Sequence, residues 1–555
     1  MRVHSLGARF AIPCVAIGLI LSGCADNATG PVGSSDIGSV NDINPHDPSE
    51  LRDGGNLRLT VSAFPETFNV LHIDSNADVS DVIEPMMPSA FLSDAAGELS
   101  VNHNYFTDIQ LTNTSPQQIT YTINPKAVWS DGSPITWEDL RSEAAALSGK
   151  DPRFLVGSTA GFERVGKVER GVDDKQAIVT LDKPYAEWKG FFSPLYQKET
   201  TATPEAFNDL DRNELKLSSG PFILQDIDRA QNRIVLGRNP KWWGDTPKLD
   251  TITFSVLDNA AVLPAIQNNE LDVAYMSGLE NVTGARNTPG VEIRRTPEPT
   301  WSHLTFNGAP GSILEDPQLR IAISKAIDRQ GIVTAGQNGI VDNPKPLNNH
   351  VFVAGQKGYQ DNAQPIAFDP AEAERMLDSL GWKLNGDVRE KDGRQLVLRD
   401  VMYQQDQWVQ TAQIAQQNLA QVGVKLEIQT IPGQGLFTNV IDPGNFDIAQ
   451  FSWVGSSIPL PGLAQIYAYN PDNLQGNKAR IGSPELNALI ERTLSELDPQ
   501  KAIDLANQCD RMIWEEGYSI PLHQASSTYG ARAEVANFGA FGLADPDFTK
   551  VGFLK

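Results

Sequence analysis

Cysteine, basic charge and long apolar runs are all scarce in this chain of 555 residues, and each shortage excludes something. Three cysteines occur, Cys14, Cys24 and Cys509, too few and too scattered for a disulfide framework. Cys509 falls on the apolar spacing Ile503, Ala506, Cys509 and Ile513 of a helix, the setting of a buried structural thiol rather than a nucleophile. Lys and Arg number 45 against 69 Asp and Glu, a formal charge of −24. Such a surface repels phosphate, which argues against nucleic acid as a partner. The longest apolar run, Phe10 to Leu21, falls well short of the roughly 20 residues a membrane-spanning helix needs.

Reaction motifs are missing as well. There is no G-x-S-x-G elbow, no H-E-x-x-H and no paired C-x-x-C. Gly161 to Lys167 has the spacing of a phosphate loop, but Val168 stands where Ser or Thr would hold magnesium, so a loop leading into a strand is expected. His46, His72, His103, His303, His350 and His523 show no metal-ligand spacing. No catalytic residue, metal or cofactor is expected, and the abundant carboxylates read as solvated charge.

What is present begins with a leader. Arg2 and Arg9 precede the apolar run, and small residues lead to Cys24, the layout of a secretory signal over residues 1–23. The junction Leu21-Ser-Gly-Cys24 resembles a bacterial lipobox, which implies a lipid on Cys24 and a protein anchored to the outer face of the cell membrane. Residues 24–52, rich in Gly, Ser, Asn, Asp and Pro, read as a flexible tether. A coil of that length spans roughly 30 Å, enough to hold a folded body clear of a membrane.

The remaining residues exceed a single hydrophobic core, which stops growing near roughly 250 to 300 residues. Strands are expected at Leu57–Ser62, Ile119–Ile123, Ala177–Leu181, Ile234–Gly237, Thr251–Leu257, Leu396–Met402, Val424–Ile431 and Asp447–Trp453. Helix starts are marked by Thr136 with Asp139, and by Asp369-Pro370, Ser483-Pro484 and Asp498-Pro499. The class is α/β, without a short repeat.

Ile119 to Leu140, with Trp129, Asp131, Pro134 and Asp139, resembles the characteristic segment of the bacterial extracellular solute-binding proteins of family 5, the oligopeptide- and dipeptide-binding proteins of ABC importers. Further matching pieces follow in the family's order. They are Val179 to Ala186, Ser219 to Phe222, Arg238 to Asp250, Asn269 to Ala274, Leu304 to Asn307, Leu319 to Arg329, Asp369 to Ala373, Leu380 to Trp382 and Ile520 to Leu522.

The resemblance implies a two-lobe periplasmic-binding-protein-like fold (type II, cluster C) with an extra subdomain in the first lobe. Lobe I is expected over 53–302 with the insertion at about 91–215, lobe II over 303–520, and a C-terminal segment, 521–555, returning to lobe I. The implied work is capture of an oligopeptide in the cleft by hinge closure, then delivery to a permease and ATPase complex, by a monomer without covalent chemistry. A non-peptide solute such as haem, nickel, a sugar or an opine, a secreted hydrolase, and a surface sensor or adhesin are the alternatives. Expected cleft residues are Ser62, Phe64, Pro88, Trp301, Asn307, Tyr403, Gln404, Asp406, Trp453, Gly455, Ser456 and Tyr467. Peptide-binding members carry an Asp after the equivalent of Trp453 that pairs with the peptide's α-ammonium, whereas Val454 to Pro461 contain no acid. Either another carboxylate such as Asp406 serves, or the amino terminus is not held there.

Overall fold

Three sheets carry the architecture. In the computed structural model the described residues are 41–159, 161–433 and 435–555. The leader, Cys24 and the tether as far as residue 40 lie outside them. In the first sheet Asn56–Val61 runs parallel to Thr251–Val256, followed antiparallel by Arg233–Arg238 and Phe222–Asp228. Alternation explains its placement: Leu57, Leu59 and Val61 are buried, while Arg58 turns outward to Asp272. Their core also takes in Val551 and Phe553, so the end of the chain packs against this first sheet.

The second sheet is antiparallel, in the order Phe106–Thr114, Gln117–Ile123, Gln176–Leu181, Val165–Arg170. Lys167 therefore lies on a strand, as expected, rather than on a phosphate loop. The neighbouring helix Trp137–Ala146 starts where Asp139 accepts a 2.8 Å hydrogen bond from the Thr136 backbone.

The third sheet has six strands, in the order Val273–Tyr275, Ser519–Arg532, Val291–Phe306, Ile448–Trp453, Val397–Tyr403, Lys425–Ile431. Two long strands run through it side by side. Val291–Phe306 pairs antiparallel with Ser519–Arg532 along almost its whole length, with register shifts between Pro297 and Trp301 and again before His303. Beyond that break the same strand pairs with Ile448–Trp453. All eight expected strands occur within two residues of their expected ends, and the two long strands join sequence neighbourhoods more than 200 residues apart.

The helix starts also stand where the caps place them. Asp369 accepts from the Glu372 backbone, Ser483 from Leu486, and Asp498 from Gln500 and Lys501. Cys509 is fully buried on the helix Pro499–Glu515, where burial pushes its thiol up to about 11.

The expected tether is shortened by the structure. The Asp42 backbone exchanges hydrogen bonds of 2.8 and 2.9 Å with Ala540, Phe538 donates to the Ile43 carbonyl, and Leu51 bridges to Leu554. The polar side chains that make this stretch read as solvated are used on backbone. Asn44 Nδ2 donates to the Val535 carbonyl at 3.0 Å, and Asn537 Nδ2 to the His46 carbonyl at 2.9 Å.

Asp400 sits fully buried in the third sheet, with Oδ2 accepting from Gln450 Nε2 at 2.6 Å and Oδ1 without a partner among the described residues. Burial pushes its carboxyl up to about 8, only partly opposed by that hydrogen bond. The folded chain therefore holds this proton more tightly than the unfolded chain does. The resulting stability is complete below about pH 4 and is lost as pH rises toward 8, at about 1.4 kcal/mol for each unit of displacement. Asp400→Asn is expected to raise the melting temperature by several degrees at pH 8 and to change it little at pH 4. Thermal melts across that range check this, and parallel curves for the two proteins would contradict it.

Candidate functional site

Where Val291–Phe306 pairs with Ile448–Trp453, Trp301 lies opposite Trp453, His303 opposite Phe451, and Thr305 opposite Ala449. The two-residue period of a strand sets all six on one face. The His303 ring meets Phe451 edge-on at 4.3 Å and lies parallel to Trp453 at 5.9 Å. Its Nδ1 is 2.8 Å from Thr305 Oγ1, its Nε2 has no partner among the described residues, and burial lowers its pKa to about 3, so the ring is neutral.

A cavity of about 480 Å³ opens beside this face, within the range of about 300–1,000 Å³ usual for small-ligand sites. Its walls come from segments remote in sequence. Trp301 and Trp453 come from the paired strands, Gly455 and Ser456 from the loop that follows, His350 and Gln356 from one loop, and Tyr185, Glu187 and Gly190 from the segment after the second sheet. Glu187, Gln356 and Pro459 are shared with an adjoining cavity of about 380 Å³.

Each wall is fixed by named contacts. The His350 backbone N–H and its Nδ1 both lie 2.8 Å from Asp510 Oδ1, while Asp510 Oδ2 accepts from Asn362 Nδ2 at 2.7 Å and Trp514 Nε1 at 3.2 Å. Gln356 Nε2 donates to the Ser456 carbonyl at 3.0 Å. Across the cavity the Ala186 backbone donates to the Leu494 carbonyl at 2.7 Å. Arg164 reaches Glu491 through two hydrogen bonds, 2.8 and 3.1 Å, and also donates to the Pro184 carbonyl. Those bonds tie the 164–187 segment to the helix Pro484–Ser495.

Of the twelve expected cleft residues, Trp301, Trp453, Gly455 and Ser456 come together in the larger cavity. Tyr467 lies behind it, buried, with its hydroxyl 3.4 Å from the His350 carbonyl. Asn307 is committed elsewhere, its Nδ2 donating to the Gly444 and Phe446 carbonyls. Pro88 is buried and its carbonyl takes the Leu195 N–H. Ser62 donates to Asp78, and Phe64 lies under the Arg229 guanidinium. Tyr403 packs on Phe437, while Gln404 and Asp406 are exposed before and at the start of the helix Asp406–Gln421. None of these seven lines either cavity.

The sequence gives no sign of Glu187 or Gln356, and sets His350 only among the histidines without metal-ligand spacing. Val179 to Ala186 stops one residue short of Glu187, and His350 carries no motif at all. Glu187 accepts from the Leu460 backbone, and burial pushes its carboxyl up to about 7. Acids also gather by the first sheet. Burial raises Asp81 to about 6, with Asp78 adding to the effect, and raises Glu84 and Asp545.

The middle of the chain, residues 107–475, matches the family model described as bacterial extracellular solute-binding proteins, family 5. The chain belongs to that family. The oligopeptide-binding protein OppA of Mycobacterium tuberculosis is 52% identical to it over 551 residues, 98% of this chain and 93% of that protein. Among solved structures, a periplasmic EDTA-binding protein, EppA, superposes with a TM-score of 0.86 at 23% identity, covering 94% of this chain and all of that one. The oligopeptide-binding protein AppA of Bacillus subtilis, solved with a nonapeptide, gives 0.76 at 18%, covering 91% and all of that chain. The fold is thus that of the family-5 solute-binding proteins. Among the described residues no helix is long and apolar enough to cross a membrane.

In this family-5 protein Gly455 is the tightest of the glycines lining the cavity, since a Cβ there would stand 2.6 Å from the Pro299 carbonyl oxygen. Gly455→Ala must push the loop away from the strand, an overpacking cost of roughly 1–3 kcal/mol. A lower melting temperature and weaker retention of bound solute are expected. An unchanged melt together with unchanged retention would show that the contact is slack.

Proposed function

We propose that the protein captures oligopeptides and releases them intact to the permease and ATPase of an ABC importer. The relation to OppA carries this reading, because 52% identity along 98% of the chain spans every segment that walls the cavity. The physics suits such cargo. An extended peptide offers alternating N–H and C=O groups, so backbone bonding supplies affinity without reading sequence, while wet pockets accept varied side chains. Two adjoining cavities that share Glu187, Gln356 and Pro459 suit an elongated solute.

Two lobes close over the cargo in this reading, hinging where the long strands lose register between Pro297 and His303. The Arg164–Glu491 pair and the Ala186–Leu494 bond belong to the closed state and break on opening. A lipid on Cys24 keeps the monomer at the outer face of the membrane, near its transporter.

Native mass spectrometry of the gently purified protein, followed by denaturing release, tests the cargo. Mixed peptides of narrow length range are expected, and one defined non-peptide molecule would overturn the reading. Glu491→Gln leaves Arg164 with a weaker partner, and because Glu491 is half exposed the loss is about 1 kcal/mol. Release of bound peptide should therefore quicken roughly fivefold. Stopped-flow dissociation checks this, and an unchanged rate would remove the pair from the closed-state latch. Cys24→Ser should free the protein from membranes; retention there would contradict the anchor.

A further inference from the structure

The interruption between the two long strands is bridged by a side chain. Residues 298–300 stand opposite Ala525 alone, between the pairs Pro297–Ser526 and Trp301–Gln524, and neither Pro297 nor Pro299 has a backbone hydrogen to give. Gln524 sends its amide into this gap. Nε2 donates to the Glu298 carbonyl at 2.9 Å, and Oε1 accepts from the Ala354 backbone N–H at 3.2 Å. That orientation is forced, because a carbonyl oxygen can only accept and a backbone N–H can only donate.

The two ends of this bridge belong to different sides of the interruption. Glu298 is fastened to the outer side, where Ser527, on the neighbouring long strand beyond the gap, donates its hydroxyl to the Glu298 carboxylate. Ala354 is fastened to the cavity. Val353 and Gln356 on either side of it line the wall, the Val353 N–H goes to Gln356 Oε1 at 3.0 Å, and Gln356 Nε2 reaches the Ser456 carbonyl at 3.0 Å. The Gln524 backbone sits on the inner side, opposite Trp301, another residue of the wall. A half-buried amide thus spans from the outer strand, through the gap, to the loop that encloses the site.

We infer that Gln524 is a positioning residue for capture, its amide a strut that forms when the molecule closes and ties the cavity loop 351–356 to the strand interruption. The inference rests on the hinge of the oligopeptide reading and adds to it the side chain that makes closure and the shape of the cavity one event. Bending at the gap carries the Glu298 carbonyl away from Ala354, and an amide keeps both bonds only while each donor and acceptor stay within about 3 Å. In the open state water meets those groups. In the closed state they are partly enclosed, where an unmet carbonyl or N–H is costly. A cargo that packs against the loop therefore favours the same arrangement that the strut holds.

The test uses the full-length mature protein, stripped of bound material, and a peptide digest of casein as the probe. The tightest-retained peptide is resynthesised with a fluorescent label. Stopped-flow mixing gives its association and dissociation rates for the wild type, Gln524→Met and Gln524→Glu, and each protein is melted empty and loaded. Both replacements keep the length of the side chain. Methionine removes both bonds, whereas glutamate can still accept from Ala354 but has no hydrogen for the Glu298 carbonyl and sets a carboxylate against it. Dissociation should quicken roughly tenfold in Gln524→Met and further in Gln524→Glu, with association within about twofold of the wild type. The empty variants should melt with the empty wild type, while the loaded ones lose part of the rise in melting temperature that loading gives. A side chain that only packs would lower both melts alike and would be served equally by either replacement.

Release as slow as the wild type's from either variant, or equal lowering of the empty and loaded melts, overturns the inference. Scattering of the wild type, empty and loaded, separates this from failure of the hinge itself: if the wild type contracts on loading, those results remove the strut and leave the hinge standing. A wild type that keeps one shape in both states, or retains nothing from the digest, brings down the hinge reading and the strut with it.

Discussion

The pairing of two long strands, Val291–Phe306 with Ser519–Arg532, is the constraint on which the rest of the molecule depends. Their outer parts, with Val273–Tyr275, belong to the neighbourhood of the first sheet, and their inner parts lead into Ile448–Trp453 and Val397–Tyr403. A sheet that is continuous across the molecule fixes its register, yet the ladder is interrupted where Pro297 and Pro299 can donate no backbone hydrogen bond. The interruption has two effects. It weakens the ladder at one place, where bending costs least, and it turns the Trp301 and His303 column toward Trp453 and Phe451. The cavity forms beside that place, so the site and the proposed hinge share one structural cause.

Around that column the polar groups are arranged in layers. Asp510, buried on the helix Pro499–Glu515, gathers four N–H donors and thereby aims His350. His303, neutral and enclosed by aromatic rings, gives the floor shape without charge. Among the described residues Glu187 is the one carboxylate in the cavity wall, on a segment held by the Ala186–Leu494 and Arg164–Glu491 contacts. A ligand that favours the closed state does so by contacts made only there.

Much of the fold was legible in the sequence. Leu57, Leu59 and Val61 alternate as a half-buried strand must, and Asp369, Ser483 and Asp498, each followed by proline, start helices where they stand. The long strands were harder to see. Pro297 and Pro299 break the pattern inside Val291–Phe306, and the register that matters joins residues more than 200 positions apart. Residues 42–51 misled for a related reason: Asn44 and its neighbours read as solvated, but they hydrogen-bond to backbone near residues 533–540. The site was legible in part. Trp301, Trp453, Gly455 and Ser456 lie on segments that resemble the family or directly follow them, whereas Glu187 and His350 acquire meaning only from what folds against them. No local spacing announces an imidazole whose partner, Asp510, lies 160 residues away.

Small-angle X-ray scattering of the mature protein, first stripped of cargo and then saturated with a peptide it retains, bears most directly on the central claim. A molecule that hinges at the strand interruption must contract on loading, with a smaller radius of gyration and a profile that fits the closed structure. Identical profiles in the two states would contradict closure around a cargo, whatever the cavity holds.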